Sequence, residues 1–266
     1  MTRIFDALKK AESARGHASG TPPAVPAPSA HPAGAIRALP TAPRAHAGAY
    51  RAALPFSGTL VVPDDVTREM SSLRVTLEAM LGDATSRTVM FVSPQGGEGT
   101  SSAALQFASV AARDPQARVL IVDAHARRPV YHADATSGAA VADPRVAGPG
   151  YRPGGTLANN FFVVPTPEEV IQAGVFRPVE LRSVLDATSA GFDWVVLDGP
   201  PVLESPDSAA LAAQADVTLL VVQAGRTKRP VMARSGDLLR KSGARLVGSV
   251  LNRRVLEIPE FIYRRI

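Results

Sequence analysis

Residues 93–102, Ser-Pro-Gln-Gly-Gly-Glu-Gly-Thr-Ser-Ser, have the composition and spacing of a loop that cradles phosphate. Gly96, Gly97 and Gly99 permit positive φ angles that turn successive N–H groups toward one point. A helix starting directly afterwards adds the positive end of its dipole, so the turn can bind an anion. In the ordinary phosphate loop a lysine then reaches the β and γ phosphates, and the adjacent hydroxyl binds magnesium. Here Thr100 stands at the lysine position and Ser101 at the hydroxyl position. The candidate nucleotide-binding residues are therefore Gly96, Gly97, Glu98, Gly99, Thr100, Ser101 and Ser102, without the charge that steadies a transferring phosphoryl group. Taken alone, such a turn also serves as a plain strand-to-helix connection.

Two further segments end an aliphatic run in an acid: Val119-Leu120-Ile121-Val122-Asp123 and Trp194-Val195-Val196-Leu197-Asp198. Strands of a parallel sheet are covered on both faces and so read as continuous apolar runs, and ligands collect at their carboxyl ends. Asp123 and Asp198 are thus candidate catalytic and metal-supporting acids beside the loop, with Ser101 as the third magnesium donor. The other reading of each aspartate is a turn former or helix cap after a strand.

These residues need a scaffold, and the chain supplies its pattern. A strand over 89–92, a helix over 101–112 and the two acid-ended runs predict a three-layer α/β/α protein with a mainly parallel sheet over residues 56–266. Residues 132–160 are rich in Gly, Ala and Pro without a sustained period and read as a long loop, and 167–190 regains helical spacing. Residues 16–55, with prolines at 22, 23, 26, 28, 32, 40 and 43 set among Ala, Gly and Ser, read as a disordered linker that cannot bury enough apolar surface to offset chain entropy. Ahead of it, residues 1–15 form a short helix with Ile4, Phe5, Leu8 and Ala11 on one face, suited to docking on a partner.

Together these segments resemble the bacterial tyrosine kinase family of the MinD/ParA-like P-loop ATPases, which work with capsule and exopolysaccharide export systems. The resemblance runs over about residues 60–255. Asp123-Ala124-His125-Ala126-Arg127 is similar to the first acidic motif, Asp-x-Asp-x-Arg, and Asp198-Gly199-Pro200-Pro201 to the second, Asp-x-Pro-Pro. Asn252 matches the asparagine that contacts the adenine base. The resemblance implies ATP or ADP with magnesium as cofactors, and a membrane-embedded chain-length or polymerase subunit as partner, recruited through residues 1–15. Two positions depart from the pattern: Thr100 replaces the lysine and His125 replaces the second aspartate. Both fall on one phosphoryl-transfer site, which relies on positioning and charge, so the expectation is a degenerate kinase acting as a regulator or adaptor.

An active autokinase is the alternative, with Lys228, Arg127 or Arg128 as compensating cation. The family's C-terminal tyrosine cluster is reduced to Tyr263, which is either a lone phosphoacceptor or an aromatic packing residue. The helix over 64–81 corresponds to the family's oligomerisation helix, whose Glu-x-x-Arg-x-x-Arg pattern keeps only Arg74. A ParA-like positioning protein is a third reading, given the net charge of +5. The charge is dispersed and only 5% of residues are aromatic, so no specific nucleic acid is expected. No apolar run is long enough for a signal peptide or membrane span, and the chain has no cysteine. The expected location is cytoplasmic, with peripheral contact at the inner face of the membrane.

Overall fold

The computed structural model describes residues 53–148, 151–156, 159–188 and 191–254. The docking helix at 1–15, nearly all of the linker and Tyr263 lie outside the described residues.

A seven-stranded sheet forms the centre. Its strands are β1 (Leu54–Pro55), β3 (Arg87–Val92), β4 (Val119–Asp123), β8 (Phe161–Val164), β9 (Trp194–Asp198), β10 (Val217–Gln223) and β11 (Leu246–Asn252), in the order β1-β8-β4-β9-β3-β10-β11. Every pairing is parallel except β1 against β8. β1 thus places residues 54–55, expected to end the linker, at the edge of the sheet.

The aliphatic runs of β3, β4 and β9 are buried on both sides, and alternate residues face opposite layers. Val89 and Phe91 point into a core under α1 (Asp64–Leu81) and α2 (Thr100–Ala111), where Leu77 and Phe107 are buried. Met90 and Val92 point into the opposite core. Val170, Leu181, Leu211 and Leu239 close that core from α4 (Glu168–Ala173), α5 (Pro178–Thr188), α6 (Ser208–Ala212) and α7 (Arg229–Lys241). Phe107 lies 5.5 Å from Phe91 and 5.3 Å edge-on from Trp194, tying the helix of the phosphate loop to the two central strands. Each such buried aromatic stabilises the fold by about 1.5–3 kcal/mol.

One expectation is sharpened and one corrected. The helical spacing over 167–190 is divided between two helices, α4 and α5, because Gly174 adopts φ 67 and caps the first. The long loop at 132–160 contains a hairpin of β5 (Tyr131–Asp134) with β6 (Ala139–Ala142), a one-turn helix α3 (Pro144–Ala147) and β7 (Tyr151–Thr156). β7 pairs with β2 (Ser57–Leu60), an element far away in sequence. Tyr151 fastens this substructure: its hydroxyl donates to the Ser57 carbonyl at 3.1 Å and accepts from the Ala142 N–H at 3.0 Å. Its ring lies so close to Gly58 that a Cβ there would come within 2.3 Å, so only glycine fits. The substructure touches the phosphate loop's helix, where Ser102 Oγ donates to the Val146 carbonyl at 2.5 Å.

Candidate nucleotide site

The turn from β3 to α2 has the backbone its glycines predict. Gly97 and Gly99 take φ values of 83° and 92°, and Gly99 caps α2 in the left-handed region with no side-chain hydrogen bond at the cap. The first N–H groups of α2 therefore remain available to an anion.

Glu98 is only 2% exposed and organises the turn. Its carboxylate accepts from the Gln95 N–H at 3.1 Å and from the Thr227 hydroxyl, while its carbonyl accepts from Asn252 Nδ2 at 2.9 Å. The side chain that the sequence offers as a phosphate neighbour is thus turned inward. Gly96 is held from outside the loop by Glu204, whose Oε1 accepts its N–H at 2.7 Å. The chain after Pro201 runs beside the loop, with Val202 N–H donating to the Ser93 carbonyl at 2.8 Å.

Asn252 lies against the loop rather than open to a base. Besides its bond to Glu98, its Oδ1 accepts the Arg253 N–H at 2.8 Å, so both ends of the amide are engaged.

The two acids stand side by side, because Asp123 and Asp198 are register partners on adjacent parallel strands and Asp198 is also the partner of Phe91. Both are fully buried, yet their surroundings differ. Asp123 Oδ1 accepts from the His125 N–H at 2.9 Å and its Nδ1 at 3.1 Å, and Oδ2 accepts from the N–H groups of Val130 at 2.7 Å and Tyr131 at 3.1 Å. Neither oxygen of Asp198 has a hydrogen-bond partner among the described residues.

His125 Nδ1 lies 3.1 Å from Asp123 Oδ1 and 3.9 Å from Asp198 Oδ2. Burial works against its charge, but the Asp198 and Asp123 carboxylates outweigh it and push the imidazolium up to about 9. Burial pushes the Asp198 carboxyl up to about 7; His125 opposes the rise, Asp123 reinforces it, and the Ser101 hydroxyl opposes it more weakly.

Magnesium favours oxygen donors. Ser101 and the unpartnered Asp198 fit that demand; Asp123 is consumed by its four hydrogen bonds, and His125 presents nitrogen. Among the described residues, no three His, Asp or Glu side chains converge to hold a metal by themselves.

Thr100, at the lysine position, is 7% exposed. Of the cations considered in its place, Arg127 donates instead to the Gly174 carbonyl at 3.3 Å. Two other arginines approach the loop. Arg226 Nη1 is 3.6 Å from where a Cβ on Gly97 would sit, and Arg253 Nε is 3.9 Å from the same point on Gly99. Glu204, Thr227, Arg226 and Arg253 belong to no motif; Arg226, Thr227 and Arg253 are marked in the sequence only by their place after the ends of β10 and β11.

No protein-family profile matches the chain. It is 24% identical over 209 residues to the tyrosine-protein kinase YwqD of Bacillus subtilis, covering 70% of this chain and 80% of that protein. It is 31% identical over 91 residues to the tyrosine-protein kinase CpsD of Streptococcus agalactiae, a match spanning 34% of this chain and 38% of CpsD. Among solved structures, the kinase domain of Escherichia coli tyrosine kinase ETK superposes with a TM-score of 0.53 at 20% identity, covering 76% of this chain and 85% of that domain. The BceF tyrosine kinase domain gives 0.51 at 21% identity over 70% and 76%. The structural matches speak to fold and the sequence matches to descent. The chain is a homologue of the bacterial tyrosine-protein kinases and carries the P-loop NTPase fold of their kinase domains.

Proposed function

We propose that this protein is a nucleotide-binding regulator of exopolysaccharide or capsule synthesis and export, in which phosphoryl transfer to tyrosine is impaired. The observation that carries the reading is the pairing of an intact backbone cradle with two misplaced charges. Gly97 and Gly99 hold the turn and leave the first N–H groups of α2 available to an anion, yet Thr100 is neutral and His125 fills the gap between Asp123 and Asp198.

Phosphoryl transfer depends on charge placed where negative charge develops and on a base that receives the hydroxyl proton. Asp123 is saturated by N–H donors, and Asp198 faces an imidazolium, so neither stands ready as that base. Magnesium arriving with nucleotide would be held by Ser101 and Asp198, where it would neutralise phosphate charge. The chain's own groups bind and orient: the loop N–H groups grip phosphate, and Glu98, Glu204 and Asn252 keep the loop in shape.

The test is calorimetric titration of ADP and ATP into the full chain, with phosphotyrosine mass spectrometry on the same preparation. Micromolar ADP binding with unmodified Tyr263 is the expected result. Stoichiometric phosphotyrosine on Tyr263 would overturn the impaired reading in favour of a working autokinase. That second reading is favoured by one observation, the approach of Arg226 and Arg253 to the loop.

Residues 1–15 would recruit a membrane-embedded polysaccharide polymerase or chain-length subunit, placing the protein at the cytoplasmic face of the membrane. Among the described residues no helix is long and apolar enough to cross a membrane. Loss of membrane co-fractionation on deleting residues 1–15, with nucleotide binding intact, is the expected outcome.

A further inference from the structure

We infer that Arg226 and Arg253 are the phosphate-binding cations of this site, acting as a guanidinium pair that selects ligands carrying a diphosphate or triphosphate. This rests on the proposed nucleotide reading and names the side chains that make it work without the loop lysine.

The backbone cradle alone is a weak holder of polyphosphate. A helix N-terminus contributes about half an elementary charge, against several negative charges on the ligand, and Thr100 adds none. Two guanidiniums lie at the rim. Arg226 comes from the turn after β10 and Arg253 from the end of β11, and they approach Gly97 and Gly99 respectively, the two left-handed glycines of the turn. Neither arginine forms an ion pair with any described acid. Among the described residues, the one side-chain bond of Arg226 is a long one, 3.4 Å, to the neutral Oε1 of Gln223. Unpaired guanidiniums beside an anion cradle are suited to bidentate contact with phosphate oxygens.

Their placement is built rather than incidental. Each arginine is the sequence neighbour of a residue that clasps Glu98. Thr227, next to Arg226, donates its hydroxyl to the Glu98 carboxylate and accepts the Gln223 N–H at 2.9 Å. Asn252, next to Arg253, donates to the Glu98 carbonyl and accepts the Arg253 N–H. The buried Glu98 is therefore a hub that fixes the ends of two strands, and with them two cations, to one turn. Arg253 also carries φ 53 and is the only non-glycine residue in the left-handed region among the described residues. Backbone held in that region by surrounding bonds marks functional positions. Lys228, at the N-cap of α7, and Lys241, in its last turn, are the only described lysines. Neither is among the nearest atoms to the Cβ positions of the loop glycines.

The experiment is calorimetric titration of ADP, AMP and pyrophosphate into the full chain and its variants. The variants are Arg226→Ala, Arg253→Asn, the double variant and the double variant carrying Thr100→Lys. Asparagine at 253 tolerates the left-handed backbone, so folding is preserved. Arg182→Ala, whose guanidinium pairs with Asp186 on α5, is the control. Each single variant should weaken ADP about tenfold or more, the double variant further, and Thr100→Lys should restore much of the loss. Pyrophosphate should compete with ADP, and AMP should bind far more weakly. If the native chain and the double variant bind ADP equally, the arginines are idle and this inference fails while the nucleotide reading stands. If the native chain binds no nucleotide, both fail.

Discussion

The buried Asp198 is the group whose removal should change the protein's response to pH most. In Asp198→Asn the carboxylate that leads the rise of the His125 imidazolium is gone. For the native protein two limbs follow, one from each group. His125 goes from 6.5 to about 9, so its protonation favours the fold fully below pH 6.5, and that stability is lost as pH rises through 9. Each tenfold change in proton affinity is worth about 1.4 kcal/mol, so this limb amounts to about 3 kcal/mol. Asp198 is an acid raised from 3.8 to about 7, so the fold holds its proton longer than the unfolded chain does, and stability falls as pH climbs from 3.8 to 7. The native protein therefore loses stability across both windows. Asp198→Asn removes the acid limb outright and, by taking away the imidazolium's strongest support, shrinks the upper one. Its profile should be nearly flat between pH 5 and 9, and above pH 9 the variant should be the more stable protein. Urea unfolding in EDTA measures this through Trp194, the single tryptophan, 1% exposed against Phe107. Parallel profiles for native and variant between pH 6.5 and 9 would refute the assignment of charge to His125.

The contrast between the two acids predicts that Asp123→Ala costs more than Asp198→Ala. It strands the buried N–H groups of Val130 and Tyr131, at about 1–3 kcal/mol each, and denaturant midpoints at pH 6 check the order. Gly99→Ala should lower stability by about 1–3 kcal/mol, because a Cβ there would lie 2.0 Å from Asn252 Nδ2 at φ 92; thermal unfolding reads the loss. Thr100→Lys alone should tighten ADP binding about tenfold in calorimetry. Because Asp198 faces His125, ADP binding should weaken only a few-fold on chelation of magnesium; abolition by EDTA would count against that.

The parallel sheet was legible because its central strands are buried on both faces. Val89 to Val92, Val119 to Val122 and Val195 to Leu197 had to be aliphatic, and nothing on the surface interrupts them. The acids at the strand ends were legible for the same reason, since a charge closing such a run marks the sheet's carboxyl edge. The region between β4 and β8 was not. Its strands are short and rich in Ala and Gly, and β7 owes its existence to pairing with β2 and to the Tyr151 hydroxyl, neither of which leaves a local period. The break at Gly174 was a single residue inside an otherwise helical spacing. In the site, motif matching found the positions but not their state. The charge on His125 depends on Asp198, which reaches it only through strand pairing, and the inward turn of Glu98 depends on Thr227 and Asn252 from two other strand ends.

Relative to the pattern the chain resembles, the two departures relocate positive charge rather than remove it. Threonine for lysine at 100 takes one positive charge from the loop. Histidine for aspartate at 125 deletes a negative charge and, held as imidazolium by its two neighbours, adds a positive one on the acidic strands. A cation there neutralises the buried acids, a task that magnesium would otherwise share, but it stands at the carboxylates and not at the terminal phosphate. Binding tolerates such a displacement, because an anion at the helix N-terminus needs only cations near its oxygens, and the rim arginines can supply them. Transfer does not tolerate it, because a barrier falls only when charge is fixed where the transition state develops it. On the proposed reading, a site altered in this way would hold a nucleotide and slow its chemistry, as a switch that reads nucleotide state would.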